Sequence, residues 1–341
     1  MIPLISIIMP LYNAERFLEE TLVSVSNQSF RDYELICIND GSEDDTERIV
    51  RRFQQNDCRI RLLYNEKRVG AAISRNKGVR EARGKYIIFL DGDDIFDEML
   101  LSLSYQKAEQ TCADIVMFEC IHVPTQKIYE KKEIKHSERY RARFCIKPRA
   151  IEDIKPCEFV QWHSGLGSKF YRKDFVVDNQ IEFQDLPCEN DTYFVDMTYY
   201  TASRIVKLDT SHVMVYARDH SIPSRVSSNR DPMCIYYAMS RVREELEKRG
   251  IFGQKCRLFN YKAFYLLIEG MANAKSSKIR NDYREFLVNE GFTRILNDCG
   301  EKYGIDQFIE YKRRQFVELK SAEEWKNVDS LFEVFLYGNL D

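Results

Sequence analysis

Short apolar runs alternate with segments of helical period over the first third of the chain, and this alternation limits the folds that it can adopt. The runs are rich in β-branched and aromatic residues and lie at 4–9, 33–38, 60–64, 86–90 and 114–121. Between them apolar residues recur at helical spacing, as at Leu18, Leu22 and Val25. Strands that alternate with helices in this way form a parallel sheet, because each helix carries the chain back across the sheet. We therefore predict an open, mostly parallel, twisted α/β sheet flanked by helices.

The pattern changes further along the chain. Residues 122–150 are dense in Lys, Arg and Glu, so an exposed excursion is expected there. A helix starting near Glu189 and a β-rich stretch over 204–216 complete the same domain, and amphipathic helical segments follow after Ser228. We therefore predict one domain over 1–228, with halves 1–121 and 122–228, and a helical C-terminal region over 229–341.

The composition excludes several classes of protein. Of the 341 residues, 44% are hydrophobic and 31% are charged, as in ordinary globular chains. The formal net charge of −3 gives no whole-molecule attraction for polyanions, so nucleic acid is not an expected partner. No window approaches the roughly 18 apolar residues of a membrane span, and the N-terminal run lacks a basic flank, so a strand is predicted there. The 10 cysteines form no C-x-x-C pair, which favours reduced thiols and a cytoplasmic location.

Carboxylates cluster where the fourth apolar run ends, at Asp91, Asp93 and Asp94 around Gly92. Like charges this close repel one another unless a cation or hydrogen-bond donors neutralise them. Oxygen-rich clusters suit Mg²⁺ or Mn²⁺, and the carboxyl ends of parallel strands form the ligand crevice of open α/β sheets. The sequence therefore predicts a divalent metal site at this edge of the sheet.

Two other strands contribute polar residues to the same edge. The second run ends at Asp40, and the third leads through Asn65 and Gly70 to Arg75 and Lys77. Acids together with cations at the start of a helix suit a nucleoside diphosphate bound with a metal ion. A G-x-G-x-x-G dinucleotide motif and a correctly spaced Walker A loop are both missing from the sequence.

Taken in order, these motifs resemble the signature of family 2 glycosyltransferases, which have the GT-A fold. The resemblance continues more weakly to about residue 225 and leaves the C-terminal region outside it. Its four main segments are Pro10-Leu11-Tyr12-Asn13, Asn39-Asp40-Gly41-Ser42, Asn65 with Gly70 and Arg75-Asn76-Lys77-Gly78, and Asp91-Gly92-Asp93-Asp94. The resemblance implies a GT-A-like sheet and an inverting transfer from a nucleotide sugar.

The resemblance also implies roles for the donor-binding residues. The segment that contains Pro10, Tyr12 and Asn13 would border the base, with the Tyr12 ring against it. Asp40 would hydrogen-bond the uracil, and Arg75 would meet the pyrophosphate.

The remaining donor residues are implied to act on the ribose and the metal. Asp91, followed by Gly92, would bind the ribose or a metal-bound water, and Asp93 would bind the Mn²⁺ or Mg²⁺ ion directly. His220 would reach the metal or the diphosphate, with a purely structural histidine as the open alternative.

The catalytic base is implied to be Asp191, three residues before Phe194. The family pattern has Glu and Asp side by side, whereas Asn190 precedes Asp191 here and Glu189 lies one position earlier. Glu189 therefore stays a competing candidate for the base.

Asn13 and the segment 42–45 are further expected to cap the first and second helices.

Together these features predict an inverting glycosyltransferase that moves a sugar from a UDP donor to a carbohydrate or lipid-linked oligosaccharide acceptor in cell-surface polysaccharide synthesis. The alternatives are a non-catalytic nucleotide-sugar-binding subunit of the same fold and a nucleotidyltransferase that uses the same acids. The basic and aromatic segments 139–149 and 311–316 allow peripheral contact with an anionic membrane, and a homodimer stays open.

Overall fold

A computed structural model describes residues 2–122, 154, 159, 165–208, 214–217, 231–272, 274 and 276–296. The chain folds into two compact units. The first unit draws on residues 1–152, 165–185 and 197–224, and the second on 153–164, 186–196 and 225–341. The domain boundary at residue 228 stays a prediction. The basic segments 139–149 and 311–316 lie outside the described residues.

Ten strands belong to the described part of the first unit. In chain order they are β1 (Ile5–Leu11), β2 (Tyr33–Asn39), β3 (Ile60–Tyr64), β4 (Tyr86–Phe89), β5 (Ile95–Phe96), β6 (Ile115–Met117), β7 (Glu119–His122), β8 (Lys169–Arg172), β9 (Ile205–Lys207) and β10 (Met214–Ala217). Seven form the main sheet in the order β3-β2-β1-β4-β8-β6-β9, and three form a second sheet in the order β5-β10-β7. In the main sheet β8 is antiparallel to β4 and β6, and the other neighbours are parallel. The predicted open, mostly parallel sheet is confirmed.

The described helices are α1 (Glu15–Ser26), α2 (Thr46–Asn56), α3 (Ala71–Glu81), α4 (Leu100–Thr111), α5 (Lys173–Asp178), α6 (Thr192–Thr201), α7 (Met233–Lys248), α8 (Phe252–Ala272), α9 (Ser277–Phe286) and α10 (Phe292–Leu296). A 3₁₀ turn covers Leu166–Ser168, and a π-helical turn over Leu287–Gly291 separates α9 from α10. Helix length and hydropathy, taken over the described residues, leave no candidate for a membrane span.

The central strands are apolar along their whole length because both faces of the sheet are covered. Every residue of β2 is buried, and every residue of β1 is buried except Pro10, which is half-buried. At the edge, β3 buries Ile60 fully and leaves Tyr64 exposed. Pro10 lies beyond the last β1–β4 pair, Ile8 with Phe89, so its missing N–H costs no bond to β4.

The apolar run over 114–121 is not the single strand that the sequence suggests. It breaks at Phe118, so that β6 pairs with β8 and β9 in the main sheet while β7 pairs with β10 in the second sheet. The Phe118 side chain is itself buried. The hydrophobic pattern is therefore continuous across the break, and periodicity does not reveal it.

In the second unit the described residues from 231 to 296 are organised by helices. Helix α7 packs on α8, and the Arg243 guanidinium on α7 donates hydrogen bonds to the carbonyl groups of Arg294 and Ile295 in α10. These bonds satisfy carbonyls that the end of a helix leaves without partners. The Ser276 hydroxyl accepts a hydrogen bond from the Ile279 N–H and caps the start of α9.

Candidate active site

The predicted ligand-binding edge of the first unit lies where the strand order reverses. From β1 the chain adds β2 and β3 on one side and β4 on the other, so the carboxyl ends of β1 and β4 diverge at a topological switch point. Hydrogen bonds fix these ends: the Asp40 N–H donates to the Leu11 carbonyl, and the Leu90 N–H donates to the Ile8 carbonyl. The acids predicted from the sequence follow β2 and β4 at this point.

Asp40 organises the turn between β3 and α3. Its carboxylate accepts hydrogen bonds from Asn65 Nδ2 at 2.8 Å, from the Val69 N–H at 2.9 Å and from the Gly70 N–H at 2.8 Å. Asp40 is only 3% exposed. A buried carboxylate surrounded by donors in this way is electrostatically satisfied and holds the turn in one conformation.

The two loops that follow β1 and β2 cap each other. The N–H groups of Asn13 and Glu15 donate to the side chains of Ser42 and Asp44, and the Glu43 N–H donates to Asn13 Oδ1. Asn13 takes a left-handed conformation with φ 47°, which brings its side chain to the other loop. The expectation that Asn13 caps α1 was wrong: α1 begins after Ala14, whose N–H donates to the Thr46 hydroxyl.

The expected capping box over 42–45 was also wrong. Helix α2 has Asp45 at its N-cap without a side-chain cap hydrogen bond, and the Ser42 hydroxyl instead accepts from the Asn13 N–H, two residues before α1. The two helix starts are close in space, so each loop satisfies the other's N–H groups. Local sequence spacing does not show that exchange.

Tyr12 lies against an arginine from the turn that Asp40 holds. The Arg68 guanidinium carbon lies 4.0 Å from the centroid of the Tyr12 ring, which is close enough for a cation–π contact. Gly41 has φ 74°, and a Cβ atom at that position would lie 3.1 Å from the Arg68 backbone nitrogen. A side chain at residue 41 would therefore strain its own backbone and press on this turn.

Arg75 and Asp91 form an ion pair at this edge of the sheet. Arg75 Nη2 donates to Asp91 Oδ1 at 3.0 Å, and the side chains are 10% and 49% exposed. The Arg75 guanidinium also lies over the Phe183 ring, 5.6 Å from its centroid. Phe183 is in turn held by Asn76, which donates to the Phe183 carbonyl at 2.9 Å and accepts from its N–H at 2.8 Å.

Helix α1 holds the turn that carries Asp91, Asp93 and Asp94 through the side chain of Thr21. The buried Thr21 hydroxyl lies 2.8 Å from the Asp94 carbonyl oxygen and 3.1 Å from the Gly92 carbonyl oxygen. A Cβ atom at Gly92 would lie 2.4 Å from Leu11 Cδ2, so the backbone packs closely onto β1 here. Asp93 follows in the same turn and is half-buried.

The described residues contain no group of three or more His, Cys, Asp and Glu side chains arranged to hold a metal ion. The predicted ligands Asp91 and Asp93 lie in one turn, and His220 lies outside the described residues. A site made by two carboxylates still fits Mg²⁺ or Mn²⁺, because these ions keep several positions for water and substrate phosphates.

The two candidates for the catalytic base belong to the second unit. Glu189 has φ 53°, which is rare for a residue with a side chain. The Thr192 hydroxyl donates to Glu189 Oε2 at 3.4 Å, and the Val195 N–H donates to the Asp191 carbonyl at 2.9 Å. Both acids are half-buried and directly precede α6. The assignment of the base to Asp191 or Glu189 stays a prediction.

Two neighbouring side chains in the second unit have pKa values that differ from their ordinary ones. A hydrogen bond from Cys234 lowers the pKa of the Cys188 thiol, and the Cys188 Sγ atom lies 3.6 Å from the Asp231 carbonyl oxygen. Burial raises the pKa of Tyr193. Both residues border the turn with Glu189 and Asp191, which is therefore built into a packed part of the unit.

The sequence motifs identified the edge of the sheet but missed residues that build it. Asn65, Arg68, Thr21 and Phe183 each fix a predicted site residue, and the sequence motifs gave none of them a supporting role. Asn65 lies within a sequence motif, so its supporting role could have been predicted from the sequence. Phe183 contributes backbone groups and a ring, which give no motif.

Comparison with known proteins identifies the family. Residues 6–170 match the sequence profile of the family described as Glycosyl transferase family 2. The seven-stranded sheet, with acids after β2 and β4, is the GT-A-like architecture expected for such an enzyme. Over residues 6–170 the chain is therefore that of a family 2 glycosyltransferase, and its named relatives are glycosyltransferases.

Several relatives carry glycosyltransferase names. The chain is 28% identical over 64% of its length to glycosyltransferase GlyG of Streptococcus pneumoniae and covers 72% of that protein. It is 31% identical over 61% of its length to the uncharacterized glycosyltransferase EpsJ of Bacillus subtilis and covers 60% of it. Over 33% of its length it is 36% identical to the GalNAc(5)-diNAcBac-PP-undecaprenol beta-1,3-glucosyltransferase of Campylobacter jejuni, of which it covers 37%.

Solved structures share the fold at low sequence identity. S. aureus TarS 1-349 in complex with UDP-GlcNAc has a TM-score of 0.71 at 18% identity, with 97% of this chain and 91% of that one covered. The mannosyltransferase PcManGT from Pyrobaculum calidifontis, in complex with GDP-Man and Mn²⁺, has a TM-score of 0.54 at 13% identity and coverages of 98% and 85%.

Proposed function

We propose that this chain is an inverting glycosyltransferase that moves a sugar from a UDP donor to a carbohydrate acceptor during cell-surface polysaccharide synthesis. The observation that carries the proposal is the pairing of Arg75 with Asp91 at the switch point of the sheet. A nearly buried guanidinium beside a half-exposed carboxylate presents a cation next to a metal-binding acid, as a nucleoside diphosphate requires.

The proposed donor site lies along the carboxyl ends of the parallel strands of the main sheet. Tyr12 offers a ring for the uracil, Asp40 an acceptor for the uracil N–H, and Arg75 a fork of donors for the diphosphate. TarS, a neighbour in fold, binds UDP-GlcNAc, which supports a uridine donor.

A divalent ion is proposed to be held by Asp91 and Asp93, with Mn²⁺ as the first choice because PcManGT is described with that ion. Carboxylate oxygens are suitable ligands for Mn²⁺ and Mg²⁺, and the half-exposed Asp91 side chain leaves room for phosphate oxygens to complete the shell. When bound, the ion would supply charge stabilisation for the leaving diphosphate.

The chemistry needs one base. The proposed base, Asp191 with Glu189 as its competitor, takes the proton of the acceptor hydroxyl while the new C–O bond forms at the anomeric carbon. The bond from that carbon to the UDP oxygen breaks on the opposite face, so the configuration inverts. A positioned carboxylate of this kind contributes about 10²–10⁴-fold.

The proposed acceptor is a carbohydrate or a lipid-linked oligosaccharide. The Campylobacter jejuni relative is named for an undecaprenol-linked acceptor, which supports a lipid-linked oligosaccharide here. Such an acceptor fits a cytoplasmic enzyme that contacts the inner face of the membrane, either as a monomer or as a homodimer.

The test is a panel of nucleotide sugars, each with Mn²⁺, Mg²⁺ or a chelator. We expect a UDP-sugar with Mn²⁺ to raise the melting temperature most, because a ligand that binds only the folded state stabilises it. The same donor should release UDP when an acceptor is added, and the product should show the inverted anomer by NMR.

Two results would contradict the proposal. Tight UDP-sugar binding without any sugar release, over a broad acceptor panel, would favour the non-catalytic binding subunit. Release of pyrophosphate from a nucleoside triphosphate would favour a nucleotidyltransferase.

A further inference from the structure

Asn76 and Phe183 are joined by a pair of hydrogen bonds across 107 positions of the chain. Asn76 Nδ2 donates to the Phe183 carbonyl oxygen at 2.9 Å, and the Phe183 N–H donates to Asn76 Oδ1 at 2.8 Å. Both residues are buried, at 7% and 4% exposure. The amide therefore binds the backbone of Phe183 much as a neighbouring strand would, and fixes the residue in place.

The ring of Phe183 is held as firmly as its backbone. It packs edge-to-face on Phe89, the last residue of β4, with centroids 5.0 Å apart and an interplanar angle of 78°. Edge-to-face packing at this distance is a favoured geometry for aromatic pairs. The ring is thus tied both to α3, through Asn76, and to the strand that precedes Asp91.

The Arg75 guanidinium lies over this ring and reaches Asp91. Its carbon atom is 5.6 Å from the Phe183 centroid, within the range of a cation–π contact. Its Nη2 atom donates to Asp91 Oδ1 at 3.0 Å. An arginine side chain has many rotamers, so contact with both a ring and a carboxylate reduces the number that it can adopt.

We infer that Phe183, fixed by Asn76, is a positioning residue that holds the Arg75 guanidinium at the crevice for the diphosphate of the donor. The inference rests on the proposed function, which assigns the diphosphate to Arg75. In this inference Phe183 acts on the ligand through Arg75, so its effect should be specific to the phosphates of the ligand and independent of the base.

The test compares UDP with uridine, which lacks the phosphates, in the presence of Mn²⁺. In Phe183→Leu the apolar volume is largely kept and the aromatic face is lost. We expect the affinity for UDP, measured by calorimetry, to fall about threefold to tenfold. The affinity for uridine, measured by NMR titration, should change less than about twofold. Phe183→Tyr keeps the ring face and should restore most of the UDP affinity.

Phe170→Leu is the matched control. Phe170 is also a buried aromatic residue of the main sheet and stacks on Tyr86 with centroids 5.0 Å apart. Phe170 pairs with Ile88 of β4, and its ring stacks on Tyr86 at the start of that strand, so the same change of size there should leave the ratio of UDP to uridine affinity unaltered. Melting temperatures of both variants report whether the fold is kept.

Arg75→Ala separates this inference from the proposed function. Combined with Phe183→Leu it should bind UDP no more weakly than Arg75→Ala alone, because the ring then has no guanidinium to hold. Equal losses of UDP and uridine affinity in Phe183→Leu, or a further UDP loss in the double variant, would overturn the inference and leave Phe183 with a packing role. An unchanged UDP affinity in Arg75→Ala would instead overturn the donor-site assignment.

Discussion

Asn65 donates a hydrogen bond from Nδ2 to Oδ1 of Asp40 across 2.8 Å, and so joins the ends of β3 and β2. The same Asn65 group lies 2.8 Å from the Ser74 hydroxyl on α3. Asp40 is both the proposed partner of the uracil and the anchor of the turn before α3, so a substitution there should affect stability and UDP binding together.

Asp40→Asn is expected to destabilise the protein and weaken UDP binding together. An amide offers one acceptor oxygen where the carboxylate offers two, so its NH₂ group faces N–H donors of Val69, Gly70 or Asn65. A buried donor left without a partner costs about 1–3 kcal/mol. Thermal unfolding and UDP calorimetry measure the two effects.

Asn65→Ala is the control for Asp40→Asn, because it removes one of the three donors to the carboxylate, together with the Asn65 bond to Ser74, and leaves the bonds from Val69 and Gly70 in place. It should lower the melting temperature less than Asp40→Asn does. Wild-type stability in Asp40→Asn would show that the carboxylate does not hold the turn.

Gly41→Ala should weaken UDP binding more than Gly70→Ala does. Both glycines have positive φ, at 74° and 93°, so an alanine at either position costs about 1 kcal/mol or more in backbone strain. Only at Gly41 would the new Cβ atom also press on the backbone of Arg68, at 3.1 Å, whereas nothing lies within 4 Å at Gly70.

The measurement compares the UDP affinities of Gly41→Ala and Gly70→Ala. If both lose UDP affinity equally, the close approach of Gly41 to the Arg68 backbone has no part in the shape of the site. Circular dichroism checks that each variant is folded.

Asp93→Ala tests the metal site. The variant should bind UDP without dependence on Mn²⁺, and its fold should be intact because the Thr21 bonds to the Gly92 and Asp94 carbonyls use the backbone. Calorimetry with Mn²⁺ and with a chelator gives the comparison. A Mn²⁺-dependent UDP affinity that survives the change would remove Asp93 from the site.

Asp191→Asn tests the proposed base. Asparagine keeps the shape and hydrogen-bonding ability of the side chain but not its basicity. We therefore expect kcat to fall by about 10² or more, with UDP affinity and melting temperature nearly unchanged. Single-turnover transfer rates measure the effect.

Glu189 provides the comparison for Asp191 through two variants. Glu189→Gln removes only the charge, while Glu189→Gly also relieves the left-handed backbone at φ 53°. If the acid serves only the turn, Glu189→Gly is active and at least as stable as the wild type. A near-wild-type rate in Asp191→Asn, with a collapse in Glu189→Gln, would move the base to Glu189.

The alternation of apolar runs was sufficient to predict the parallel sheet, because burial on both faces requires continuous apolar strands and helical crossovers. It also placed Asp40 and Asp91 at one edge, since parallel strands share their carboxyl ends. Ordered motifs along residues 10–94 then identified the family. These are local properties of the sequence, because each depends only on which residues follow one another along the chain.

Tertiary structure alone decided which groups support those acids. Phe183 reaches Arg75 through backbone bonds to a side chain 107 positions away, and every residue type has such backbone groups. The break at Phe118 and the exchange of caps between the loops at Asn13 and Ser42 are likewise invisible in the sequence, because they depend on which elements pack together. Hydrophobic periodicity states which face of an element is buried, and only the folded chain decides what buries it.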